Sequence, residues 1–246
     1  MTTIAHHLRL VRDRIHAACL AAGRDPASVR LLAVSKTFGA DAVIEAMAAG
    51  QLAFGENYIA EGVEKVKALR RWQEGEAARS GVAANALEWH CIGPIQSNKT
   101  RLVAEHFDWA QSVDRLKIAQ RLSEQRPAGL PPLQVCLQVN IDGGANKSGL
   151  PPADVLALAQ EVAQLPRLVL RGLMAIPEPA IDFAAACALH ESVRALFDQI
   201  NDAGALAVPM DTLSLGMTAD LEAAIHAGST MVRVGTAIFG GRSQAQ

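Results

Sequence analysis

Leu31-Leu32-Ala33-Val34-Ser35-Lys36-Thr37 is the stretch from which the fold is read. Four apolar residues in succession fit a strand buried on both faces, and the run stops at a hydroxyl, an ammonium and a second hydroxyl. Lys36 therefore stands where a strand leaves the core. In α/β proteins ligands gather at the carboxyl ends of parallel strands, so a lysine there is placed to attack a carbonyl compound. A lysine just past a strand is more often a solvated charge, and the stretch alone does not choose between the two.

The same rhythm extends on both sides. Ahead of it, Ile4, Leu8, Val11, Ile15, Cys19 and Ala22 recur at spacings of three and four, which predicts a helix closed by Gly23. After it, 40–49 reads as an Ala/Val/Ile helix closed by Gly50, and 52–54 as a strand ending at Gly55-Glu56-Asn57. Residues 58–73 read as a helix charged on one side, and 75–85 as a surface excursion. Strands follow at 87–92, 108–110, 133–141, 168–174, 211–215 and 231–234. Helices are predicted between them, beginning near Ser97 and over 113–125, 151–164, 181–201 and 221–227. Eight strands alternating with helices imply a parallel sheet. Over this length they predict an α/β fold, a single-domain TIM-type (β/α)8 barrel covering 1–246, with the helix of 1–23 packed outside the eight units.

Composition narrows the function. Half the residues are hydrophobic and 20% are charged, an ordinary globular balance. A net charge of -2 gives no electrostatic reason to expect nucleic acid or an anionic membrane. No apolar run reaches the ~18 residues of a membrane span, and the first residues lack a signal-peptide pattern, so the expectation is a cytoplasmic protein. Cys19, Cys91, Cys136 and Cys187 are widely spaced and form no metal-binding pattern, so no metal is expected.

If the chain is a barrel, its chemistry comes from the residues that follow each strand. Those positions are Ser35-Lys36-Thr37, Glu56-Asn57, Gly93 to Lys99, Asn140, Met174-Ala175-Ile176, Ser214 to Thr218 and Arg233 to Thr236. The loops after strands 7 and 8 are the usual phosphate site of such barrels, and Ser214, Gly216, Thr218, Gly235 and Thr236 supply glycine backbone and hydroxyls there. An aldehyde for Lys36 and a phosphate for these loops are both found on pyridoxal 5'-phosphate (PLP). Plainer readings stand beside this one: Gly235-Thr236 as a strand-to-helix turn, Ser214 as a cap, and His90 as a satisfied core histidine. Arg233, inside an apolar run, needs a partner; a ring nitrogen and a carboxylate such as Asp211 or Asp220 are the candidates. Glu61, Glu64, Lys65 and Lys67 read as a solvated helix face.

Seven ordered motifs carry a resemblance over residues 31–240. They are Ala33-Val34-Ser35-Lys36-Thr37, Phe54-Gly55-Glu56-Asn57-Tyr58, Trp89-His90-Cys91-Ile92-Gly93 with Gln96-Ser97-Asn98-Lys99, Lys147-Ser148-Gly149, Gly172-Leu173-Met174-Ala175-Ile176-Pro177, Ser214-Leu215-Gly216-Met217-Thr218 and Arg233 through Gly240. The chain resembles the YggS/PROSC family of pyridoxal phosphate homeostasis proteins. The resemblance implies the barrel of the alanine racemase N-terminal domain, found in fold type III PLP proteins, and a cofactor carried as a lysine Schiff base. By matching positions it implies that Lys36 forms that link, that Asn57 lies beside the cofactor, that Ser214, Thr218, Gly235 and Thr236 hold the phosphate, and that Arg233 faces the pyridine nitrogen. Met217 and Met174 would line the pocket, and Lys147 is a candidate for transient contact. Departures are small: Leu215 stands where methionine is frequent, Thr218 where serine is, and Gly39 near where proline often follows the lysine.

The resemblance also bears on turnover. An arginine with pKa above ~12 does not protonate the ring nitrogen, so the cofactor is a weak electron sink. A racemase of this fold type brings a second base, a tyrosine, from a further domain, whereas only residues 241–246 follow Gly240 here and Tyr58 is the lone tyrosine. The expectation is a PLP binding and carrier protein without turnover, monomeric, with PLP-dependent apo-enzymes as recipients. The alternatives are a weak PLP-dependent amino-acid racemase and a barrel aldolase using Lys36 without cofactor.

Overall fold

In the computed structural model, eight parallel strands pair in chain order and the eighth returns to the first, closing a barrel. Residues 3–80, 86–144 and 148–241 are described. The elements are α1 (Thr3–Ala21), β1 (Arg30–Val34), α2 (Ala40–Ala48), β2 (Ala53–Glu56), α3 (Ile59–Ser80), β3 (Glu88–Cys91), α4 (Thr100–His106), β4 (Trp109–Val113) and α5 (Leu116–Gln125). They continue with β5 (Leu133–Val139), α6 (Val155–Ala163), β6 (Leu168–Ala175), α7 (Phe183–Asp202), β7 (Thr212–Ser214), α8 (Leu221–His226), β8 (Met231–Val234) and α9 (Thr236–Phe239). The predicted (β/α)8 barrel is the observed fold.

Alternation along the strands divides the apolar residues into a sheath and an interior. Ala33, Phe54, Trp89, Cys91 and Ala110 belong to the large cluster between strands and helices. Their neighbours one position away form two interior clusters, Leu32 with Val34, Ala53, Ile92 and Met231, and Trp109 with Cys136 and Met174. Buried polar side chains share the inward parity, among them His90, Gln111, Gln138, Thr212, Ser214 and Arg233. The barrel interior is therefore part apolar and part hydrogen-bonded.

Helix α1 packs against α8, α9 and α2 and completes the ring of helices where the four-residue α9 is too short to cover β8 and β1. Two expectations change. Residues 75–80, expected in a surface excursion, continue α3 to Ser80, while 81–85 lie outside the described residues. Alanine, glutamate and arginine are good helix formers there, and a Cβ at Gly75 would meet nothing, so the glycine lies on an open helix face. Strand β4 extends to Val113 rather than ending at Ala110, because the polar residues that broke its apolar pattern find partners: Ser112 Oγ donates to Gly93 O at 2.5 Å and Gln111 is bonded inside the barrel.

Candidate functional site at the carboxyl mouth of the barrel

Lys36 leaves β1 beside the loop that follows β8. The two strands are paired with Leu32 opposite Arg233 and Ala33 opposite Val234, and a Cβ on Gly235 would lie 3.2 Å from Val34 O. Ser35 still belongs to the ladder, its N–H donating to Gly55 O at 3.0 Å, and its buried side chain faces away from the interior. Alternation then gives Lys36, half-buried, the inward parity of Leu32 and Val34. The turn closes with Thr37 at φ +68°, a left-handed backbone that a β-branched residue adopts only when its surroundings enforce it.

Those surroundings are ionic. Lys65 Nζ lies 2.6 Å from Glu56 Oε1 and donates to Ser35 O at 2.8 Å, Ser35 Oγ donates to the same carboxylate at 2.6 Å, and Thr37 N–H donates to Glu61 Oε1 at 2.6 Å. Lys65 was expected on a solvated face; it is buried, because it sits on the side of α3 that covers Glu56 at the end of β2. Glu61, one helical turn before it, also lies within 3.4 Å of Nζ. Burial pushes the Glu56 carboxyl up, against the downward pull of Lys65 and of the two hydrogen bonds from Lys65 and Ser35.

The loops after β7 and β8 meet at the mouth. Thr236 Oγ1 lies 3.3 Å from Thr218 Oγ1, and Arg233 N–H donates to Gly216 O at 3.0 Å. Gly216 has φ +88° and room for no side chain, since a Cβ would fall 2.5 Å from that of Ala224. Asp220 ties the loop down: Oδ1 accepts from Met217 N–H at 2.7 Å and Oδ2 from the buried His190 at 2.9 Å. Met217 is 39% exposed at this rim, whereas Met174 is sealed inside with Trp109 and Cys136.

Arg233 is buried below these loops. Its guanidinium donates to Ser214 O, to Ser214 Oγ at 2.8 Å and to Ala175 O at 2.9 Å. Neither carboxylate weighed as its plain partner bonds it: Asp211 is held by Arg171 and Asp220 by His190. Burial lowers its pKa to about 10, with Asp220 opposing, which still leaves it charged at neutral pH. Ser214, expected at a phosphate, spends its hydroxyl on Arg233 and on Gln111, whose Oε1 it approaches to 2.6 Å. His90 is the satisfied core histidine of the plain reading, with its ring nitrogens on Glu88 and Gln111. Gln111 joins this group, and its signal in the sequence is an amide between Ala110 and Val113 in a buried strand, which calls for an interior partner. Lys147 lies outside the described residues.

Asn57 tests whether the mouth suits a ligand. Its Oδ1 is buried and accepts no hydrogen bond, and its backbone is pressed against Gly93, where a Cβ would fall 2.0 Å from Asn57 O. A buried amide oxygen without a partner is costly unless something else meets it. With an amine at Lys36, hydroxyls at Thr218 and Thr236 and a buried cation at Arg233, the mouth fits a small ligand carrying a carbonyl, a polar ring and an anionic arm.

The profile described as "Alanine racemase, N-terminal domain" matches residues 3–243 of this chain. The chain belongs to the alanine racemase N-terminal domain family. Among relatives in that family, the pyridoxal phosphate homeostasis protein of Pseudomonas aeruginosa is 57% identical over 242 residues, covering 98% of this chain and 97% of that protein. The Escherichia coli K12 protein of the same name is 52% identical and covers both chains in full. PipY of Synechococcus elongatus, solved with PLP bound, superposes with TM-score 0.77 at 35% identity over 96% of this chain and all of that one. The resemblance read from the motifs thus extends along nearly the whole chain.

Proposed function

We propose that this chain is a PLP-binding protein of vitamin B6 and amino-acid homeostasis, a carrier without turnover whose single barrel domain holds the cofactor on Lys36. The observation that carries the reading is the pairing of β1 with β8, which puts Lys36 and the Gly235-Thr236 loop on neighbouring strands. PLP bears its aldehyde and its phosphate arm on adjacent ring carbons. Lys36 would add its amine to the aldehyde with loss of water. Thr218, Gly235 and Thr236 would hold the phosphate, Asn57 and Met217 would flank the ring, and Arg233 would face the pyridine nitrogen. Ser214 contributes through Arg233, consistent with the hydrogen bonds its hydroxyl makes.

Arg233 supports the reading of retention without turnover. A guanidinium hydrogen-bonds the ring nitrogen without surrendering a proton to it, so the bound cofactor withdraws electrons poorly. The name and PLP-bound state of close relatives support the cofactor. Handover to PLP-dependent apo-enzymes, as a cytoplasmic monomer, completes the reading.

The test is the absorption spectrum of the purified protein reconstituted with PLP. A visible or near-ultraviolet band that Lys36→Ala abolishes is expected; its absence sinks the cofactor and leaves the aldolase reading. The family itself favours a second reading, a weak racemase. Exchange of an amino acid's α-proton in D2O faster than with free PLP would establish turnover and overturn the carrier.

A further inference from the structure

Four hydrogen bonds cross the barrel interior in one line from β8 to β3. Arg233 Nη1 donates to Ser214 Oγ at 2.8 Å, and Ser214 Oγ donates to Gln111 Oε1 at 2.6 Å. Gln111 Nε2 in turn donates to His90 Nδ1 at 2.8 Å, and His90 Nε2 donates to Glu88 Oε1 at 2.6 Å. Every donor points toward Glu88. The two ends are fixed, because a guanidinium has only donors and a carboxylate only acceptors, and a neutral His90 with its proton on Nε2 lets every link between them run the same way. Gln111 can satisfy both neighbours in one orientation alone, with its amide nitrogen on the side of His90, where Met231 Sδ also lies at 3.2 Å.

Within this line His90 must be neutral and carry its proton on Nε2. Its surroundings hold it there: the imidazole is fully buried and stacks on Trp109 at 5.0 Å between ring centroids. Burial lowers its pKa; Glu88 and Asp108 pull it up, and Arg30, itself 2.8 Å from Glu88, pushes it down. A second proton would make Nδ1 a donor aimed at the Gln111 amide nitrogen. Gln111 would have to turn over and present N–H groups to Ser214, and the serine hydroxyl could no longer both donate inward and accept from Arg233.

We propose that neutral His90 is a positioning residue for Arg233, orienting Gln111 and Ser214 so that the guanidinium keeps one fixed pose at the floor of the cofactor site, with Glu88 as the last acceptor of the line. The cofactor part of this role rests on the reading that Arg233 faces the ring nitrogen of bound PLP. Arg233 needs such an arrangement because no carboxylate among the described residues bonds it directly and its other partners are backbone carbonyls.

The experiment combines histidine nitrogen NMR of the full-length protein with spectra of PLP-loaded variants. In the wild type without PLP, His90 is expected to stay neutral with the proton on Nε2 between about pH 5.5 and 8; an Nδ1–H tautomer, or titration near the ordinary histidine value of ~6.5, overturns the proposal. With PLP bound, His90→Leu is expected to move the pH midpoint of the cofactor's absorption change by about one unit. His90→Gln, whose amide can accept from Gln111 and donate to Glu88, is expected to keep the wild-type midpoint. Identical midpoints in all three proteins overturn the role. A wild type that shows no PLP band refutes the cofactor reading instead, and the tautomer measurement then decides the internal line by itself.

Discussion

Lys65 and Glu56 meet at 2.6 Å between Nζ and Oε1, with side chains 4% and 0% exposed, beneath the turn that carries Lys36. Removing one partner from a buried pair leaves the other charge uncompensated, which is far more damaging than replacing both. Lys65→Met is expected to lower stability by about 3–5 kcal/mol in urea denaturation. Adding Glu56→Leu should recover much of that loss. A single variant as stable as the wild type would mean that the pair does not hold the turn.

The buried imidazole makes acid stability depend on His90. Its pKa is lowered in the fold, so below the unfolded value of ~6.5 the unfolded chain takes up a proton that the native state refuses. The stabilisation is present above that pH and is lost as pH falls, with a slope of at most about 1.4 kcal/mol per unit. Glu88 acts in the same direction at lower pH. Burial pushes its carboxyl up, but His90 and Arg30 outweigh burial and hold it at about 2, below its ordinary value of 4.5. Its contribution is therefore lost as pH falls from about 4.5 toward 2. In denaturation series the wild type should lose stability relative to His90→Gln as pH drops from 6.5 to 5; parallel curves would refute this.

Gly93 lets β3 and the Asn57 turn approach one another. A Cβ there would fall 2.0 Å from a backbone oxygen that has little freedom to retreat. Gly93→Ala is expected to destabilise the protein by about 1–3 kcal/mol and to weaken PLP binding by displacing Asn57. Gly129→Ala, where a Cβ meets nothing, should stay within about 0.5 kcal/mol of the wild type. Equal midpoints for the two variants would contradict the packing.

Asp220 holds the loop after β7 through Met217 N–H and His190. Losing two hydrogen bonds from one charged acceptor frees Gly216 to Thr218 to move. Asp220→Ala should raise the dissociation constant for PLP about tenfold, the equivalent of one such bond, while leaving the wavelength of the lysine-linked band unchanged. A shifted band with unaltered affinity would place Asp220 beside the ring instead of behind the loop.

Reading the sequence went furthest where the signal is local. Met231-Val232-Arg233-Val234 is one apolar run and forms β8 at the expected limits, and Lys36 lies at a strand end as its flanking residues imply. It fell short where a polar residue depends on a distant partner. Lys65 looked solvated because its helix carries Glu61, Glu64 and Lys67 around it, and nothing within α3 announces that Glu56 waits at the end of β2. Gln111 shortened the expected β4 for the same reason: an amide reads as the end of a buried strand unless His90 and Ser214 are known to face it.

Run lengths, glycine positions and the order of strand-end residues determined the barrel and the lysine at its mouth, because each is a property of neighbours in the chain. Which polar groups share the interior was decided only by closure. His90, Gln111, Ser214 and Arg233 come from β3, β4, β7 and β8, and the hydrogen bonds that align them exist only once those strands close around one buried interior.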